Sequence, residues 1–295
     1  MFFQVTVKFL FIIHLFSSGL VYAEAKQTIN IAYLTQERKV PPPLSNLDAF
    51  IPNKGVLGSE LAVADNNTTG QFTGQQFVLK KFIVPLDGNV VDAFNKEIDD
   101  QYPYVVVNLP AELTNKIADL PAAKQKLLFD AATIDDALRN EQCRNNVLHL
   151  LPSRAMRADA LAQYMMKKRW NKWFLVVGAT DEDRLFADAI RRAAKRFGMK
   201  IVEEKAWEHT YDARRTAQSD VAVFTQVDDY DVLVVADEQG QFGEYLEYRT
   251  WSARPVIGTQ GLVATAWNRT HEQRGSVQIQ KSIKHNEGTR MEEQD

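Results

Sequence analysis

The chain has 295 residues, of which 45% are hydrophobic and 25% are charged, and its formal net charge is −3. This composition is typical of globular proteins and excludes a disordered chain. The charge balance lacks the basic excess that nucleic acids and anionic membrane surfaces attract, so we expect neither as a partner. The length fits one large domain or two of ordinary size.

The first 25 residues, MFFQVTVKFLFIIHLFSSGLVYAEA, combine one early lysine, a short apolar stretch and small residues at Ala23 and Ala25. This order is typical of a secretory signal peptide. One histidine and two serines interrupt the apolar stretch, which favours cleavage over permanent insertion in a membrane. We therefore predict a signal peptide over 1–25 and an exported mature chain, with an uncleaved N-terminal anchor as the alternative.

The only cysteine is Cys143, so no intramolecular disulfide can form, although an exported compartment would permit one. A mature chain of this length can be stable without disulfides because it can bury a core of ordinary size. We interpret Cys143 as a half-buried packing residue rather than a nucleophile.

Eight short apolar segments alternate with helical patterns along almost the whole chain. Several of them, such as YVVVN, FLVV and VLVVA, are unbroken runs, which suits parallel strands buried on both faces. The alternation of strands and helices predicts right-handed βαβ units in doubly wound sheets. The predicted strands are 29–34, 77–84, 104–108, 147–151, 173–177, 200–204, 231–236 and 255–257.

The segment SRAMRADALAQYMMKKRW is predicted as an amphipathic helix that begins after Ser153, a suitable N-cap. Its apolar residues recur near the helical period, which predicts a face directed to the core. The residues assigned to that face are Met156, Ala160, Leu161, Tyr164 and Met165.

Two adjoining sheets, each with helices on both faces, fit the pattern as well as one large sheet. Breaks near 151–152 and 258–261 would divide the two. The proline-rich segment over 38–55, RKVPPPLSNLDAFIPNKG, is predicted as a surface loop after the first strand. That position is the carboxyl edge of the sheet, where open α/β sheets bind ligands.

The stretch FLVVGATDED, where a strand runs into a helix, resembles a phosphate cradle only superficially. Phosphate binding needs several glycines, and here Gly178 is followed by the acids Asp181, Glu182 and Asp183, which would repel a pyrophosphate. The histidines have no metal-ligand spacing, and no nucleophile motif is present. We therefore expect no metal, no cofactor and no catalytic residue.

Polar residues follow the ends of the predicted strands and are the candidate ligand contacts. Asp237 and Glu238 come directly after DVLVVA, where they would either pair with a ligand amine or cation, or cap a helix predicted over 240–249. Both interpretations stay open from the sequence. The full set of candidates is Tyr33, Thr35, Asn108, Glu112, Asp181, Asp237, Glu238, Gln239, Thr259 and Gln260.

The order of the segments INIAYL, YVVVNLPAE, HLLPSRAMRADAL, WFLVVGATDEDRLFADAI and RPVIGTQGLVATAW resembles the type I periplasmic solute-binding proteins of ABC transporters, in the branched-chain amino acid group. The chain is most similar to the branch associated with pyrroloquinoline-quinone-dependent alcohol dehydrogenase systems. The resemblance implies a periplasmic, monomeric protein with two Rossmann-like lobes, each built on a parallel sheet, joined by a hinge. The lobes would be 26–151 plus 262–295, and 152–261.

The same resemblance implies a binding protein rather than an enzyme, which captures a small molecule between its lobes and delivers it to an ABC transporter permease. Two departures from the family pattern stand out. The loop LPAELTNK lacks the serines that hold a ligand carboxylate and carries Glu112, so we expect an uncharged or cationic ligand. The family pattern also continues beyond WNRTHEQ, so we expect a C-terminally shortened first lobe with exposed apolar surface. A ligand-sensing subunit and an exported enzyme on the same scaffold are the alternatives.

Overall fold

The computed structural model describes residues 26–38, 55–207, 217–268, 270–273 and 275–287. The predicted signal peptide over 1–25 and nearly all of the proline-rich segment lie outside these residues. None of the described helices is both long and apolar enough to cross a bilayer.

The first sheet is formed by five strands within the described residues up to 149. Its strands all run parallel, and one helix lies in each of the first three connections between them. The strands are β1 (Gln27–Gln36), β2 (Gln75–Val84), β3 (Tyr104–Asn108), β4 (Leu127–Asp130) and β5 (Val147–His149), and the helices are α1 (Val56–Thr73), α2 (Val90–Glu97) and α3 (Ala111–Ala118). The strand order is β2-β1-β3-β4-β5.

The second sheet is also fully parallel. Its strands are β6 (Lys172–Val177), β7 (Lys200–Ala206), β8 (Val232–Ala236), β9 (Val256–Gly258) and β10 (Leu262–Val263), and the remaining helices are α4 (Arg154–Lys168), α5 (Asp181–Phe197), α6 (Ala217–Phe224), α7 (Gly243–Leu246) and α8 (Ser276–Glu287). The order is β10-β9-β8-β6-β7, which repeats the first sheet when it is counted from β7. The predicted α/β fold with two parallel sheets is confirmed.

We call the part from β1 to β5 the first lobe and the part from α4 to β10 the second lobe. The helix α8 returns to the first lobe, where it packs against α1. The strand β10 pairs with β9 in the second sheet, whereas the predicted division after residue 261 assigned it to the first lobe.

The second sheet is buried on both faces because its strands are continuous runs of large apolar residues. Trp173 and Leu175 pack with α4 and α5 on one face. Phe174 and Val176 lie in a separate cluster on the other face, and β8 is buried along its whole length. Burial on both faces is what the unbroken runs predicted.

The first sheet is covered less evenly. On one face, Leu34, Val107 and Leu128 pack against residues of α2 and α3. On the opposite face, Tyr104, Leu127 and Leu148 are 37%, 40% and 46% exposed. Apolar surface therefore lies open along β3, β4 and β5 within the described part of the chain.

The helix α5 begins and ends at well-defined caps. Thr180 and Asp183 form a reciprocal capping box, which satisfies two backbone N–H groups at the start of the helix. Gly198 ends the helix with a φ of 71°, a left-handed conformation that glycine adopts without a Cβ penalty. The caps place the first turn of α5 at the carboxyl end of β6.

The predicted core face of α4 is wrong in part. Leu161 and Met165 are buried, but Met156 and Tyr164 are 57% and 43% exposed, and Ala160 is exposed as well. Apolar residues occur on two sides of this helix, and only one side contacts the second sheet and α5.

Other differences from the sequence-based predictions are local. The strands β4 and β10 were not predicted, and the helix predicted over 240–249 is reduced to the single turn of α7. Cys143 is exposed rather than half-buried, because it lies in a turn after β4 rather than in a packed element.

Candidate ligand-binding cleft

Each sheet has a crevice at its carboxyl edge. In both sheets the strand order reverses between the first and third strands, β1 and β3 in one lobe and β6 and β8 in the other. Crossover connections leave such a point in opposite directions, and the crevice between them is the usual ligand site of open α/β sheets.

A cleft of about 760 Å³ lies between the two lobes at these edges. This volume falls in the range of about 300–1,000 Å³ that is usual for small-molecule sites. Its walls come from both lobes, since they include Arg38, Leu109, Pro110, Ala111, Glu112, Ala132, Thr133, Ile134, Asp135 and Leu151 before α4, and Arg154, Arg157, Glu182, Leu185, Phe186, Asp237, Glu238, Gln239, Gly240, Gly258, Thr259, Gln260, Val263 and Ala264 from α4 onward.

Arg154 connects the two walls. Its Nε and Nη2 donate to the two carboxylate oxygens of Glu238, both at 2.7 Å, and its Nη1 donates to Asp135 at 2.7 Å. The Arg154 side chain is only 5% exposed. Burial on its own would lower the pKa of this guanidinium, but hydrogen bonds and charge from Glu238 and Asp135 outweigh it and raise the pKa above its usual range. The charged network therefore holds Asp135 of the first lobe to Glu238 of the second.

Asp237 is buried, and its carboxylate serves the backbone. It accepts hydrogen bonds from the N–H groups of Gln241, Phe242 and Gly243 at 2.7–2.9 Å, at the start of α7. Its own N–H donates to the hydroxyl of Thr259 at 2.9 Å. Of the two interpretations that the sequence left open, helix capping accounts for every described contact of this carboxylate.

Asp183 was not among the candidates, yet it orders the second-lobe wall. It is 1% exposed, and its carboxylate accepts from the N–H of Thr180 at 3.0 Å and from the N–H of Glu238 at 2.7 Å. A Cβ on Gly178 would lie 2.2 Å from the Asp183 carboxylate. The glycine after β6 therefore makes room for a carboxylate and not for a phosphate.

The first-lobe wall is held by a chain of hydrogen bonds between β1 and β3. The Asn108 amide donates to the hydroxyl of Tyr33 at 2.9 Å, and the Thr35 hydroxyl donates to the Asn108 carbonyl at 3.1 Å. Arg38 then donates to the carbonyl and to Oδ1 of Asn108, both at 3.3 Å. Tyr33 is fully buried, so this chain places the Arg38 guanidinium at the cleft.

Beneath this wall, His149 and Asp130 form a closed pair. The imidazole Nδ1 lies 2.7 Å from the Asp130 carboxylate, and Nε2 lies 3.2 Å from the carbonyl of Leu138. The hydroxyl of Thr133 donates to Asp130, not to the imidazole. Both imidazole nitrogens face acceptors, so this group is not arranged to take a proton from a nucleophile.

The model of the periplasmic binding protein family matches residues 43–238, about two thirds of the chain. The chain belongs to this family. No curated protein matches its sequence.

Solved structures of similar fold include ABC transporter substrate-binding proteins, and the alignments cover most of this periplasmic binding protein. An ABC transporter substrate-binding protein from Desulfitobacterium hafniense has 16% identity and a TM-score of 0.63, over 91% of this chain and 79% of that one. A branched-chain amino acid ABC transporter periplasmic ligand-binding protein from Burkholderia xenovorans has 14% identity and a TM-score of 0.63, over 91% and 74%. The leucine-, isoleucine-, valine-, threonine- and alanine-binding protein from Brucella ovis, in a closed conformation, has 12% identity and a TM-score of 0.66, over 90% and 72%. At these identities the likeness establishes the fold.

The cleft of this periplasmic binding protein contains part of the predicted set of site residues. Thr35 and Asn108 lie behind the first-lobe wall with Tyr33, and Asp181 is exposed and paired with Arg184 at 2.6 Å. Six of the ten candidates line the cleft, namely Glu112, Asp237, Glu238, Gln239, Thr259 and Gln260. Trp267, a further aromatic on the return to the first lobe, is half-buried and is not among the lining residues.

Glu112 does not present an isolated negative charge. It lies in the first turn of α3, its side chain is 80% exposed, and it accepts a hydrogen bond from Lys116 at 2.7 Å. That bond and the lysine charge lower the pKa of Glu112. Across the described residues, no group of three or more His, Cys, Asp and Glu side chains is placed to hold a metal ion.

Sequence reasoning missed the arginines of the cleft. Arg154 stands in the first turn of α4, where the helix dipole disfavours a cation unless it has a specific partner. A positive charge at this unfavourable position was the available sign that Arg154 has an acidic partner. Arg38 gave no such signal, because it begins a proline-rich segment whose composition indicates only a loop.

Proposed function

We propose that this protein is the exported solute-binding component of an ABC-type uptake system, which captures a small molecule in the cleft between its lobes. The observation that carries the proposal is the cleft itself, whose walls come from the carboxyl edges of both sheets. A ligand held from both sides stabilises the closed arrangement, and hinge closure couples capture to a change of shape that a partner can recognise.

We place the protein in the periplasm after removal of residues 1–25, and we take the transporter permease at the inner membrane as its partner. The protein acts there as a monomer. The hinge lies at 151–152 and again after β10. Of the predicted contacts, we assign the ligand to Gln239, Thr259 and Gln260, which line the cleft.

We further propose a link to alcohol oxidation, supported by where the family-like segments fall. HLLPSRAMRADAL contains Leu151, Arg154 and Arg157, and RPVIGTQGLVATAW contains Gly258 and Val263. All five line the cleft. The segments that most resemble the alcohol dehydrogenase-associated branch are therefore the ones that would contact a ligand.

A thermal-shift screen tests the binding function. Purified protein is heated with alcohols, aldehydes, small acids, amino acids, quinone cofactors and metal ions, and at least one solute is expected to raise the Tm in a saturable way. Gln239→Trp fills the cleft from an exposed lining position and is expected to abolish the shift. Gln71→Trp, at an exposed position of α1 outside the cleft, is the matched control and should retain it.

Three results would contradict the proposal. A screen without any stabilising solute argues against binding, and a shift that survives Gln239→Trp places the ligand elsewhere. Conversion of the solute with multiple turnovers would identify an enzyme.

Uptake of the bound solute by vesicles that contain the permease separates transport from signalling to a sensory partner.

A further inference from the structure

Four of the five acids that line the cleft are bound by other groups of the protein, and Glu182 is the fifth. Glu112 is paired with Lys116, and Glu238 and Asp135 share the guanidinium of Arg154. Asp237 is satisfied by three backbone N–H groups. These contacts weaken the attraction of each carboxylate for a ligand cation and its repulsion of a ligand anion, although two carboxylates share one guanidinium. The expectation of an uncharged or cationic ligand rested on the missing serines of the LPAELTNK loop and on Glu112, and the pairing of Glu112 with Lys116 weakens the second of these grounds.

Arg38 is different, because its described partners are neutral. Arg38 lines the first-lobe wall, and among the described residues its guanidinium donates only to the carbonyl and the side-chain oxygen of Asn108. No described carboxylate lies within ion-pair distance of it. Burial lowers the pKa of Arg38, the direction expected for a partly desolvated cation without a carboxylate beside it. A planar guanidinium with unused N–H groups is the side chain best suited to bind a carboxylate.

The second-lobe wall offers apolar surface instead. Leu185 and Val263 line the cleft and are 49% and 39% exposed, and Phe186 is buried beside them. Exposed apolar side chains inside a cleft gain contacts when an apolar ligand group covers them. Glu182 also lies on this wall, and no described cation pairs with it. A second negative charge at this end of a ligand is therefore disfavoured.

We propose that the ligand is a small monocarboxylate with an apolar body, whose carboxylate binds Arg38 and whose body contacts Leu185 and Val263. This inference rests on the solute-binding function proposed above. A carboxylate is also the end product when a primary alcohol is fully oxidised, so the ligand class agrees with the proposed link to alcohol oxidation.

Two series of compounds that differ only in their polar group test the ligand class. Benzoate, benzyl alcohol and benzylamine form one series, and hexanoate, hexanol and hexylamine form the other; phenyl phosphate adds a dianion. Isothermal titration of the purified protein is expected to show the carboxylate of at least one series binding about tenfold more tightly than its alcohol, its amine and the phosphate.

Matched variants test the two residues. Arg38→Gln is expected to weaken carboxylate binding about tenfold. Arg144→Gln removes the same charge from the first lobe outside the cleft and should leave binding unchanged. Leu185→Asn is expected to weaken hexanoate or benzoate binding about threefold, whereas Leu148→Asn, at a similarly exposed leucine outside the cleft, is not. All four positions are on the surface, so the variants should fold.

The outcomes separate the inference from the function on which it rests. Tighter binding of an alcohol, an amine or the phosphate overturns the ligand class while solute binding stands. Carboxylate binding that is insensitive to Arg38→Gln overturns the role of Arg38. If no compound of either series binds and no solute of the thermal-shift screen raises the Tm, the proposed function is overturned and the inference with it.

Discussion

Gly178 shows how one residue controls the wall of the cleft. It follows β6 directly, and the space where its side chain would be is occupied by the carboxylate of Asp183. That carboxylate in turn fixes the N–H groups of Thr180 and Glu238. The sequence argued against a phosphate site at this glycine, and in the structure the glycine allows the close approach of a buried acid.

We therefore expect Gly178→Ala to destabilise the protein by about 1–3 kcal/mol, because the added methyl group forces Asp183 away from its hydrogen bonds. Chemical denaturation measures the change. In the background of Asp183→Ala the added cost of the methyl group should fall by at least about 0.5 kcal/mol, since the two positions are in contact. An equal cost in both backgrounds would mean that the clash is not with Asp183.

At the scale of the element, α4 carries apolar residues on two sides, of which only one is buried. Its buried side includes Leu161 and Met165, and its other side exposes Met156 and Tyr164, with the Lys168 ammonium 5.5 Å from the Tyr164 ring centre. Apolar spacing alone did not distinguish the two sides.

Adjacent substitutions on this helix should differ sharply. Met165→Ala is expected to cost about 2–5 kcal/mol, because it leaves a cavity under the second sheet. Tyr164→Ala should cost less than about 1 kcal/mol, since only surface contacts are lost. Urea denaturation compares the two, and similar losses would show that Tyr164 is buried in solution.

The elements that could be predicted from sequence are those whose signal is local and strong. β6 and β8 were found because unbroken apolar runs suit strands buried on both faces. β4 and β10 were not, because strands of four and two residues present too few positions for any period. Asp237, Glu238 and Gln239 follow β8 directly and line the cleft, as expected for residues at the end of a strand. The contact between Glu238 and Arg154 could not be predicted, because the two residues are 84 positions apart in the chain.

At the scale of the whole molecule, the Arg154 network joins the two lobes across the cleft. The Arg154 side chain is 5% exposed, and the side chains of Glu238 and Asp135 are 13% and 26% exposed. Removing the arginine leaves two carboxylates close together and largely desolvated. Breaking a buried pair in this way is more costly than replacing all of its members.

Arg154→Met is accordingly expected to lower the free energy of unfolding by about 3 kcal/mol, and adding Asp135→Asn and Glu238→Gln should recover part of the loss. Arg196→Met, which breaks a pair with Asp159 at a 61% exposed side chain, is the control and should change stability by less than about 1 kcal/mol. Equal losses for the two arginine variants would rule out a structural role for the network. Thermal or chemical denaturation of the purified variants provides the comparison.

Cys143 is the single thiol of the chain, and it is exposed on the first lobe. A maleimide dye therefore attaches to the native protein at one site, without prior removal of competing cysteines. One engineered cysteine on the second lobe completes a donor–acceptor pair, whose energy transfer reports the angle between the lobes in real time. The protein is in this respect ready for use as a fluorescent sensor of its own solute.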